Sequence, residues 1–445
     1  MAAKRSFKGG VHPLKRMHHG KILSENSAIS ACSVPDEVIL PISQHIGAPA
    51  VPIVAAGDRV DMGQKIAEAG GFVSVPIFAS VSGTVKSIEA CSTLSGRPCD
   101  SIIIENDHED RLSGDIVKPV RLAELSGQQI IDIIKEAGIV GLGGAAFPTH
   151  VKLSPPPEKK IDTLIVNGAE CEPYLTADHR VMLEYPEEIV RGIKAMMKAL
   201  NVKKAIIGIE ANKRDAIDAI LKYTHNENID VTVLRVKYPQ GAEKQLIDSV
   251  IDRQVPSGKL PMDVGCVVVN AGTAYQVSLA IEQGLPLYER VVTVTGAVNQ
   301  PSNLMIRLGT PLSHVISHVG GFSGDVAKVI SGGPMMGVSQ QDLEAPIEKG
   351  SSGVLALTHK MAKATRESDC IRCCKCIEVC PMGLLPFLID AHSNSNDFEA
   401  ADKDSVFDCM ECGACSYICP ANRYLVQSIR LAKAELTAQR KKEKQ

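Results

Sequence analysis

The sequence of 445 residues predicts a multidomain α/β fold with four modules. These are an N-terminal β barrel-sandwich module (1–115), a central α/β domain (116–290), a β-grasp module (291–345) and a C-terminal helical domain (355–430), followed by a basic tail (431–445). Three observations support this division. Strand-like alternation with Gly and Pro turns comes first, short apolar runs then alternate with helical segments, and a four-cysteine motif occurs twice near the end.

The N-terminal module is indicated by residues 35–105, where apolar and small residues alternate between Gly and Pro turns. The segments GDRVDMGQ and ASVSGTV resemble the two halves of a biotinyl/lipoyl-type sandwich. The hairpin tip between them reads GGFVSVP and contains no lysine. Because such domains carry their modification on a lysine at that tip, we do not expect a swinging-arm role.

The central domain is indicated by four short apolar runs, TLIVNG, KAIIGIE, VTVLRV and CVVVNAG. The segments EEIVRGIKAMMKAL and KRDAIDAILKYT lie between them and have helical period, as does LAELSGQQIIDIIKEAGIV, which Gly138 ends. Strands that alternate with helices predict a largely parallel sheet covered on both faces.

Residues 291–345 become β-rich again, with a strand, a hairpin turn, a second strand and one short helix at PLSHVISHV. Two glycine pairs, Gly320–Gly321 and Gly332–Gly333, interrupt the pattern. This arrangement resembles a small β-grasp module.

The C-terminal cysteines form two motifs of identical spacing, C-x2-C-x2-C-x3-C-P. In two-cluster ferredoxins, three cysteines of such a motif bind one [4Fe–4S] cluster and the fourth binds the other cluster. The spacing therefore predicts one cluster on Cys370, Cys373, Cys376 and Cys419, and a second on Cys409, Cys412, Cys415 and Cys380. The stretch LLPFLIDAH leaves room for a helix between the motifs. Cys374 is out of register and is interpreted as a bystander thiol.

Two other interpretations of these cysteines are disfavoured. A zinc site takes four ligands, usually as two pairs, and a disulfide framework is typical of small secreted domains. The remaining cysteines, Cys32, Cys91, Cys99, Cys171 and Cys266, have no ligand spacing and are expected to be buried small side chains. Clusters and free thiols together indicate a reducing, cytoplasmic setting.

Composition excludes two classes of function. The net charge of −3 argues against a nucleic-acid binder, and no run of 18 apolar residues predicts a membrane-spanning helix. The first 30 residues and the last stretch, QRKKEKQ, are locally basic. Such ends are typical of solvated tails, with docking on an acidic partner or an anionic membrane surface as the alternative.

The stretch GLGGAAFPTHVKL (141–153) contains the pattern G-x-G-x-x-A. A dinucleotide fingerprint follows a strand and opens a helix, whereas here a helix precedes the glycines and Phe147–Pro148 follows them. Close approach of a phosphate or a flat ring to exposed N–H groups is still favoured by Gly141, Gly143 and Gly144, and Lys152 adds positive charge. A plain glycine-rich connector is the alternative.

Polar residues follow several of the predicted strands. NGAECEPYLTADHRVM follows the strand TLIV, and the segments YPQGAEKQL and VVVNAGTA repeat the layout of a strand end, a glycine and a polar residue. Open α/β sheets bind ligands at the carboxyl ends of their strands. We therefore expect Asn167, Glu170 and Glu172 to contact a ring edge or ribose hydroxyls, with capping of the next helix as the alternative.

In this order, these four segments resemble the NADH-binding flavoprotein subunit of respiratory complex I and related hydrogenases. The opening FKGGVHP, the sandwich and the doubled cysteine motif narrow the resemblance to the RnfC family, whose members belong to the Rnf complex, the ion-pumping ferredoxin:NAD oxidoreductase. The resemblance extends from Phe7 to about residue 430. It implies noncovalent FMN bound by Gly141, Gly143, Gly144, Lys152, Asn167, Tyr238, Gly241, Glu243 and Asn270, with Phe147 and Glu172 near NAD(H).

The resemblance also implies an enzyme subunit, an NAD:ferredoxin oxidoreductase of the ion-translocating class. It would be peripheral to the cytoplasmic face of the bacterial membrane and pass electrons between NAD(H), FMN, two clusters and the membrane and iron–sulfur subunits of the complex, with ferredoxin reached through them. Four positions depart from the complex I pattern: Leu142, Ala146, Ala169 and Ala242. Two alternatives are a cobalamin reductase of bacterial microcompartments and a non-catalytic iron–sulfur electron-wire subunit with a degenerate flavin site.

Overall fold

The computed structural model describes residues 5–114, 116, 120–362 and 366–443, with the backbone only for 15–18. Within these residues the strands are β1 (Ile29–Ala31), β2 (Glu37–Pro41), β3 (Val51–Pro52), β4 (Arg59–Val60), β5 (Lys65–Glu68), β6 (Ile77–Phe78), β7 (Gly83–Cys91), β8 (Cys99–Asn106), β9 (Thr163–Gly168), β10 (Ala205–Glu210), β11 (Ile229–Leu234), β12 (Cys266–Asn270), β13 (Glu289–Gly296), β14 (Ser302–Arg307), β15 (Val326–Ser331), β16 (Val338–Gln340) and β17 (Gly353–Thr358).

The α-helices of the same residues are α1 (Gly127–Glu136), α2 (Thr149–Lys152), α3 (Ala177–Glu184), α4 (Pro186–Leu200), α5 (Arg214–Thr224), α6 (Glu243–Ile251), α7 (Ala271–Gln283), α8 (Leu312–His318), α9 (Lys375–Val379), α10 (Pro386–Asn394), α11 (Phe398–Lys403), α12 (Ala414–Ile418) and α13 (Leu425–Glu443). Short 3-10 helices cover Lys15–Leu23, Leu122–Glu124, Pro261–Val264 and Val406–Asp408.

The central domain is built on a parallel sheet of order β11-β10-β9-β12. Successive residues of β9 point to opposite faces. Leu164 and Val166 pack with α1, α3, α4, α5 and α7, whereas Ile165 packs with α6 on the other face. The predicted parallel sheet with helices on both faces is therefore confirmed.

The first helix of this domain is shorter than its hydrophobic period predicts. Ser126 accepts a hydrogen bond from the backbone of Gln129, whose side chain accepts one from the Ser126 backbone, so a capping box begins α1 at Gly127. Leu122 falls in a separate 3-10 turn. The end that was predicted at Gly138 fits, because this residue has φ +68° just beyond the helix.

The N-terminal module contains two small sheets, β2-β8-β7-β4 and β3-β5-β6. Their pairings are antiparallel, which confirms the all-β prediction for this stretch. Apolar residues of both sheets, among them Leu40, Ile66 and Ile104, join one core with the module that follows the central domain. The sandwich is thus packed on the rest of the chain rather than tethered to it.

The β-grasp sheet is larger than the predicted range 291–345. Its order is β1-β14-β13-β17-β15-β16, with α8 against it. It takes its first edge from Ile29–Ala31, far back in the chain, and a central strand from Gly353–Thr358. A three-residue strand carries too short a pattern to be recognised from sequence, which explains the difference at that edge.

The cysteine-rich end is helical, as predicted, and consists of α9 to α13. The predicted basic tail, 431–445, is the second half of α13 rather than a solvated tail, as far as Glu443; residues 444–445 lie outside the described residues. Ile429, Ala432 and Leu436 are buried against α10 and α11. Their helical spacing was concealed by the many charged residues around them.

Candidate functional site

The candidate site lies at the carboxyl edge of the parallel sheet. Asn167 at the end of β9 and Asn270 at the end of β12 are direct neighbours in register. The Asn167 side chain donates to the Gly241 carbonyl (2.7 Å) and accepts from the Ala169 N–H (3.1 Å). Three of the predicted segments therefore converge at one place, which is where parallel sheets bind ligands.

The glycine loop crosses this edge and is fixed at both backbone polar groups of Leu142. The Leu142 N–H donates to the Thr273 hydroxyl (2.9 Å), and the Arg290 guanidinium donates to the Leu142 carbonyl (3.1 Å). Gly143 and Gly144, which follow, are exposed. A Cβ at Gly143 would lie 3.4 Å from the Asn270 side chain. The loop is held while its glycines face outwards beside Asn270.

Lys152 and Glu243 form the polar wall between the loop and the sheet edge. The Lys152 ammonium lies 3.1 Å from a Glu243 carboxylate oxygen and donates to the Val268 carbonyl (3.1 Å). Both side chains are part-exposed, at 29% and 41%. The pair presents one positive and one negative group to the same opening.

Asn270 has a structural role as well as a place in the site. Its side chain accepts from the N–H groups of Gly272 (2.8 Å) and Thr273 (3.3 Å) and so caps α7. Its amide donates to Asp178 (2.6 Å). Substitution of Asn270 would therefore disturb the helix as well as any ligand contact.

These residues fit a flavin phosphate and ring. Side-chain-free positions at Gly143 and Gly144 allow close approach of a phosphate or a ring, and Lys152 adds a cation. At Gly241 a Cβ would meet the Asn167 side chain at 3.3 Å and the Cys171 sulfur at 3.4 Å, so this turn is tight as well. Asn167, Asn270 and Glu243 supply donors and acceptors around the cradle, although Ala169 and Ala242 contribute none.

Glu170 acts mainly as a helix cap. Its carboxylate accepts from the N–H groups of Asp178 (2.7 Å) and His179 (3.2 Å), in the first turn of α3. Burial raises the pKa of Glu170 to about 7, which Lys21 opposes. The structure thus gives Glu170 the capping role that was the alternative to ligand contact.

Glu172 points away from the glycine loop and towards the β-grasp module. One carboxylate oxygen accepts from the N–H groups of Met335 (3.2 Å) and Met336 (2.7 Å). Among the described residues, the other oxygen is buried and has no hydrogen-bond partner. Burial raises the pKa of Glu172 to about 7.

Two buried lysines hold the loop that carries Glu170 and Glu172, and sequence patterns did not single them out. Lys21 donates to the carbonyls of Glu170 (2.9 Å), Glu172 (3.0 Å) and Leu175. Lys213 donates to the Ala169 carbonyl (2.7 Å). Lys21 comes from the N-terminal segment, so no local motif linked it to this site.

Tyr238 connects the site to the cysteine-rich domain. Its side chain is 2% exposed and its hydroxyl donates to the Cys412 carbonyl (2.7 Å). Its backbone exchanges hydrogen bonds with Val11 (2.8 and 2.9 Å), and the neighbouring Gly10 N–H donates to the Val379 carbonyl (2.8 Å). Tyr238 therefore lies at a junction of the N-terminal segment, the central domain and the cysteines.

Four sulfur atoms gather on the inner side of that junction: the inner cysteines, Cys380, Cys409, Cys412 and Cys415. Burial raises the pKa of Cys412 to about 11, and the charges of Cys409 and Cys380 act in the same direction. Burial also raises the pKa of Cys415, again with a contribution from those neighbours. Buried thiols that disfavour one another's ionisation are stabilised as thiolates by bound metal.

The other four motif cysteines, Cys370, Cys373, Cys376 and Cys419, are the outer cysteines. They line one pocket with about 380 Å³ of empty space, closed by Phe387 and Leu425 among others. Cys370 and Cys373 are exposed, whereas Cys376 is buried. The fourth cysteine of each motif therefore lies with the first three of the other motif, as the spacing predicts.

Cys374 lies at the outer pocket but has a backbone role. It begins α9 with φ +61°, and the matching position of the second motif is Gly413, with φ +78°. Its thiol is exposed. Both motifs thus turn into their helices through a left-handed residue, and only the first uses a cysteine there.

Across the described ranges, no three His, Cys, Asp or Glu side chains converge as ligands of one metal ion. A single-ion site needs ligands around one point, whereas a [4Fe–4S] cluster takes one thiolate at each of four irons. No helix in the described part of the chain is both long and apolar enough to cross a membrane.

Four family profiles match successive parts of the chain. They are the RnfC barrel sandwich hybrid domain (residues 5–109), the Nuo51 FMN-binding domain (134–279), the SLBB domain (291–339) and the 4Fe-4S dicluster domain (363–420). Their order follows the modules predicted from the sequence. The chain accordingly has FMN and [4Fe–4S] clusters as its cofactors.

The fold is also found in a solved hydrogenase. The crystal structure of an NAD+-reducing [NiFe]-hydrogenase in the H2-reduced state aligns with a TM-score of 0.50 and 18% identity, covering 75% of this chain and 71% of that one. At this identity the likeness concerns the fold alone.

Curated relatives align over nearly the whole chain. The RnfC-type subunit of the Na(+)-translocating ferredoxin:NAD(+) oxidoreductase complex of Acetobacterium woodii is 49% identical, covering 98% of each chain. The corresponding subunit of the proton-translocating complex of Clostridium ljungdahlii is 47% identical, covering 99% of this chain and 96% of the relative. That of the ion-translocating oxidoreductase complex of Rhodobacter capsulatus is 41% identical, covering 99% and 85%. This chain belongs to the RnfC family, the subunits of that type in the ion-translocating ferredoxin:NAD+ oxidoreductase, or Rnf, complexes.

Proposed function

We propose that this chain exchanges electrons between NAD(H), FMN and two [4Fe–4S] clusters as a peripheral subunit of a membrane-bound Rnf complex. It would work at the cytoplasmic face of the bacterial membrane. Partner subunits would couple this exchange to ferredoxin oxidation or reduction and to ion translocation. The observation that carries the proposal is the position of the two cysteine groups, one against the FMN-binding domain and one opening to the surface.

The inner cysteines are proposed to bind the cluster that lies next to the flavin site. Tyr238, a wall residue of the FMN-binding domain, donates directly to the Cys412 carbonyl (2.7 Å). The Gly10 N–H donates to Val379, the residue before Cys380. The outer cysteines, with Cys370 and Cys373 exposed, are proposed to bind the cluster that faces a neighbouring protein of the complex.

FMN, when bound, supplies conversion between two-electron hydride chemistry and the one-electron chemistry of iron–sulfur clusters. Gly141, Gly143, Gly144 and Lys152 are proposed to hold its phosphate and ring, with Asn167, Gly241, Glu243 and Asn270 around them. The Lys152 ammonium would favour negative charge in the bound group. Phe147, beside the glycine loop, is proposed to border the dinucleotide.

The partners follow from the relatives. Each is named as one subunit of a multi-subunit complex, so we expect this chain to assemble with further subunits. One relative is named for Na+ and another for protons, at 49% and 47% identity. Overall similarity therefore favours neither ion.

The test is an anaerobic titration of the complete chain, loaded with FMN, iron and sulfide, with NADH. We expect about eight irons per chain, bleaching of the flavin absorbance, and paramagnetic-resonance signals from two reduced clusters. Full iron content without flavin or NADH-driven bleaching would instead support the electron-wire alternative. Far fewer than about eight irons would refute the assignment of two clusters.

A further inference from the structure

The β-grasp module reaches the inner cysteines through one hairpin loop, residues 332–337 between β15 and β16, which we call the β-grasp loop. Its sequence is GGPMMG. The Gly337 N–H donates to the Gly333 carbonyl (2.9 Å), and the Gly332 N–H donates to Gly353 in the neighbouring strand (2.7 Å). The loop is therefore closed on itself and fixed to its sheet.

One side of this loop is bound by the central domain. Glu172 accepts from the N–H groups of Met335 (3.2 Å) and Met336 (2.7 Å). The contact is close, because a Cβ at Gly333 would lie 2.7 Å from the Glu172 carboxyl carbon. Real Cβ atoms do not approach that closely, so the loop needs a glycine at this position to lie against Glu172.

The opposite side of the loop supports the inner cysteines. A Cβ at Gly413 would lie 2.9 Å from the Met335 carbonyl, so the backbone between Cys412 and Cys415 rests directly on the loop. The Met335 side chain packs in a small cluster with Tyr238, Cys412 and Ala414. By contrast, the Met336 residue is 46% exposed.

We propose that the β-grasp loop sets the position of the inner cluster relative to the flavin site, with Gly333 and Met335 as positioning residues for electron transfer between the two. This inference rests on the function proposed above. It gives the β-grasp module a role: its rigid sheet is a third support, beside Tyr238 and the N-terminal segment. Three separate supports fix a position more firmly than one flexible linker does.

The experiment is anaerobic stopped-flow mixing of the full chain, loaded with FMN and clusters, with NADH. Flavin bleaching and cluster bleaching are followed as separate phases. Met335→Ala removes the packing on Cys412, and Gly333→Ala pushes the loop from Glu172. We expect either substitution to slow the cluster phase by about tenfold or more, with the flavin phase unchanged.

Two control variants separate positioning from general damage. Met336→Ala truncates the same side chain in the same loop at an exposed position and should leave both phases unchanged. Met335→Leu keeps the volume and should restore the cluster phase. Iron content and paramagnetic-resonance signals are measured for each variant, and loss of the inner-cluster signal alone in Gly333→Ala would also support the loop as that cluster's support.

A wild-type rate of cluster reduction in both Met335→Ala and Gly333→Ala would overturn the inference. So would an equal slowing of the flavin phase in both, because the loop would then act on the nucleotide side. If the wild-type chain shows no flavin bleaching with NADH, the proposed function itself fails, which is a different result from any difference between variants.

Discussion

Lys21 gives the sharpest prediction about the site, because a single buried ammonium holds the loop that follows β9. It donates to three carbonyls, those of Glu170, Glu172 and Leu175. The side chain is 3% exposed, and burial lowers the pKa of Lys21, an effect that the Glu170 carboxylate opposes. Lys21→Met keeps the aliphatic volume and removes all three donors.

The magnitude follows from those hydrogen bonds. A hydrogen bond that involves a charged group contributes about 1.5 kcal/mol at the low end, so three contribute on the order of 4 to 5 kcal/mol. If all of this energy ordered the loop for binding, FMN affinity would fall by at most about a thousandfold. We expect a fall between about tenfold and this limit, because Lys213 still holds the Ala169 carbonyl at the start of the loop.

The assay is fluorescence titration of the flavin-free chain with FMN. The matched control is Lys198→Met, since Lys198 also donates to main-chain carbonyls, those of Leu122 and Ala123, but is exposed near the end of α4. The control should bind FMN as the wild type does. An unchanged dissociation constant in folded Lys21→Met would refute the reasoning that this loop requires its ammonium.

Three further predictions concern stability and the clusters. Lys349 is fully buried on the carbonyls of Pro76 and Gly138, and burial lowers its pKa to about 7. The unfolded chain binds the extra proton up to about pH 10.4, so this group makes stability rise with pH above about 7, by up to about 1.4 kcal/mol per pH unit; urea unfolding at several pH values should show a smaller rise in Lys349→Met. Cys380→Ser should abolish the same paramagnetic-resonance signal as Cys409→Ser, although the two residues belong to different motifs, and loss of different signals would contradict the inner grouping. Gly9→Ala should slow cluster reduction by NADH, because its Cβ would lie 2.9 Å from the Cys380 carbonyl, and a wild-type rate would contradict this.

Repeated local patterns made much of the fold predictable. The strands β9, β10 and β12 are short apolar runs, and the spacing of each cysteine motif is repeated offset by offset, so their elements and grouping follow from local rules. The glycine loop and the asparagines at the strand ends were predictable for the same reason. They lie together because parallel strands bring their carboxyl ends to one edge.

Long-range contacts were not predictable in this way. The role of Lys21 depends on carbonyls about 150 residues away, and a carbonyl leaves no trace in the residue type. Glu172 resembles a ligand contact by position, yet its partner is the backbone of Met335 and Met336. The α13 helix was concealed because its buried residues are few among many charges.

The junction at Tyr238 has a consequence for how the chain matures. Val11 pairs with Tyr238, and Gly10 pairs with Val379, so a segment that leaves the ribosome early must wait for a partner that is translated much later. Contacts this distant in sequence form slowly. The flavin half can therefore fold before the iron–sulfur half exists, and the wiring between the two is completed only after the nascent polypeptide has grown past Val379.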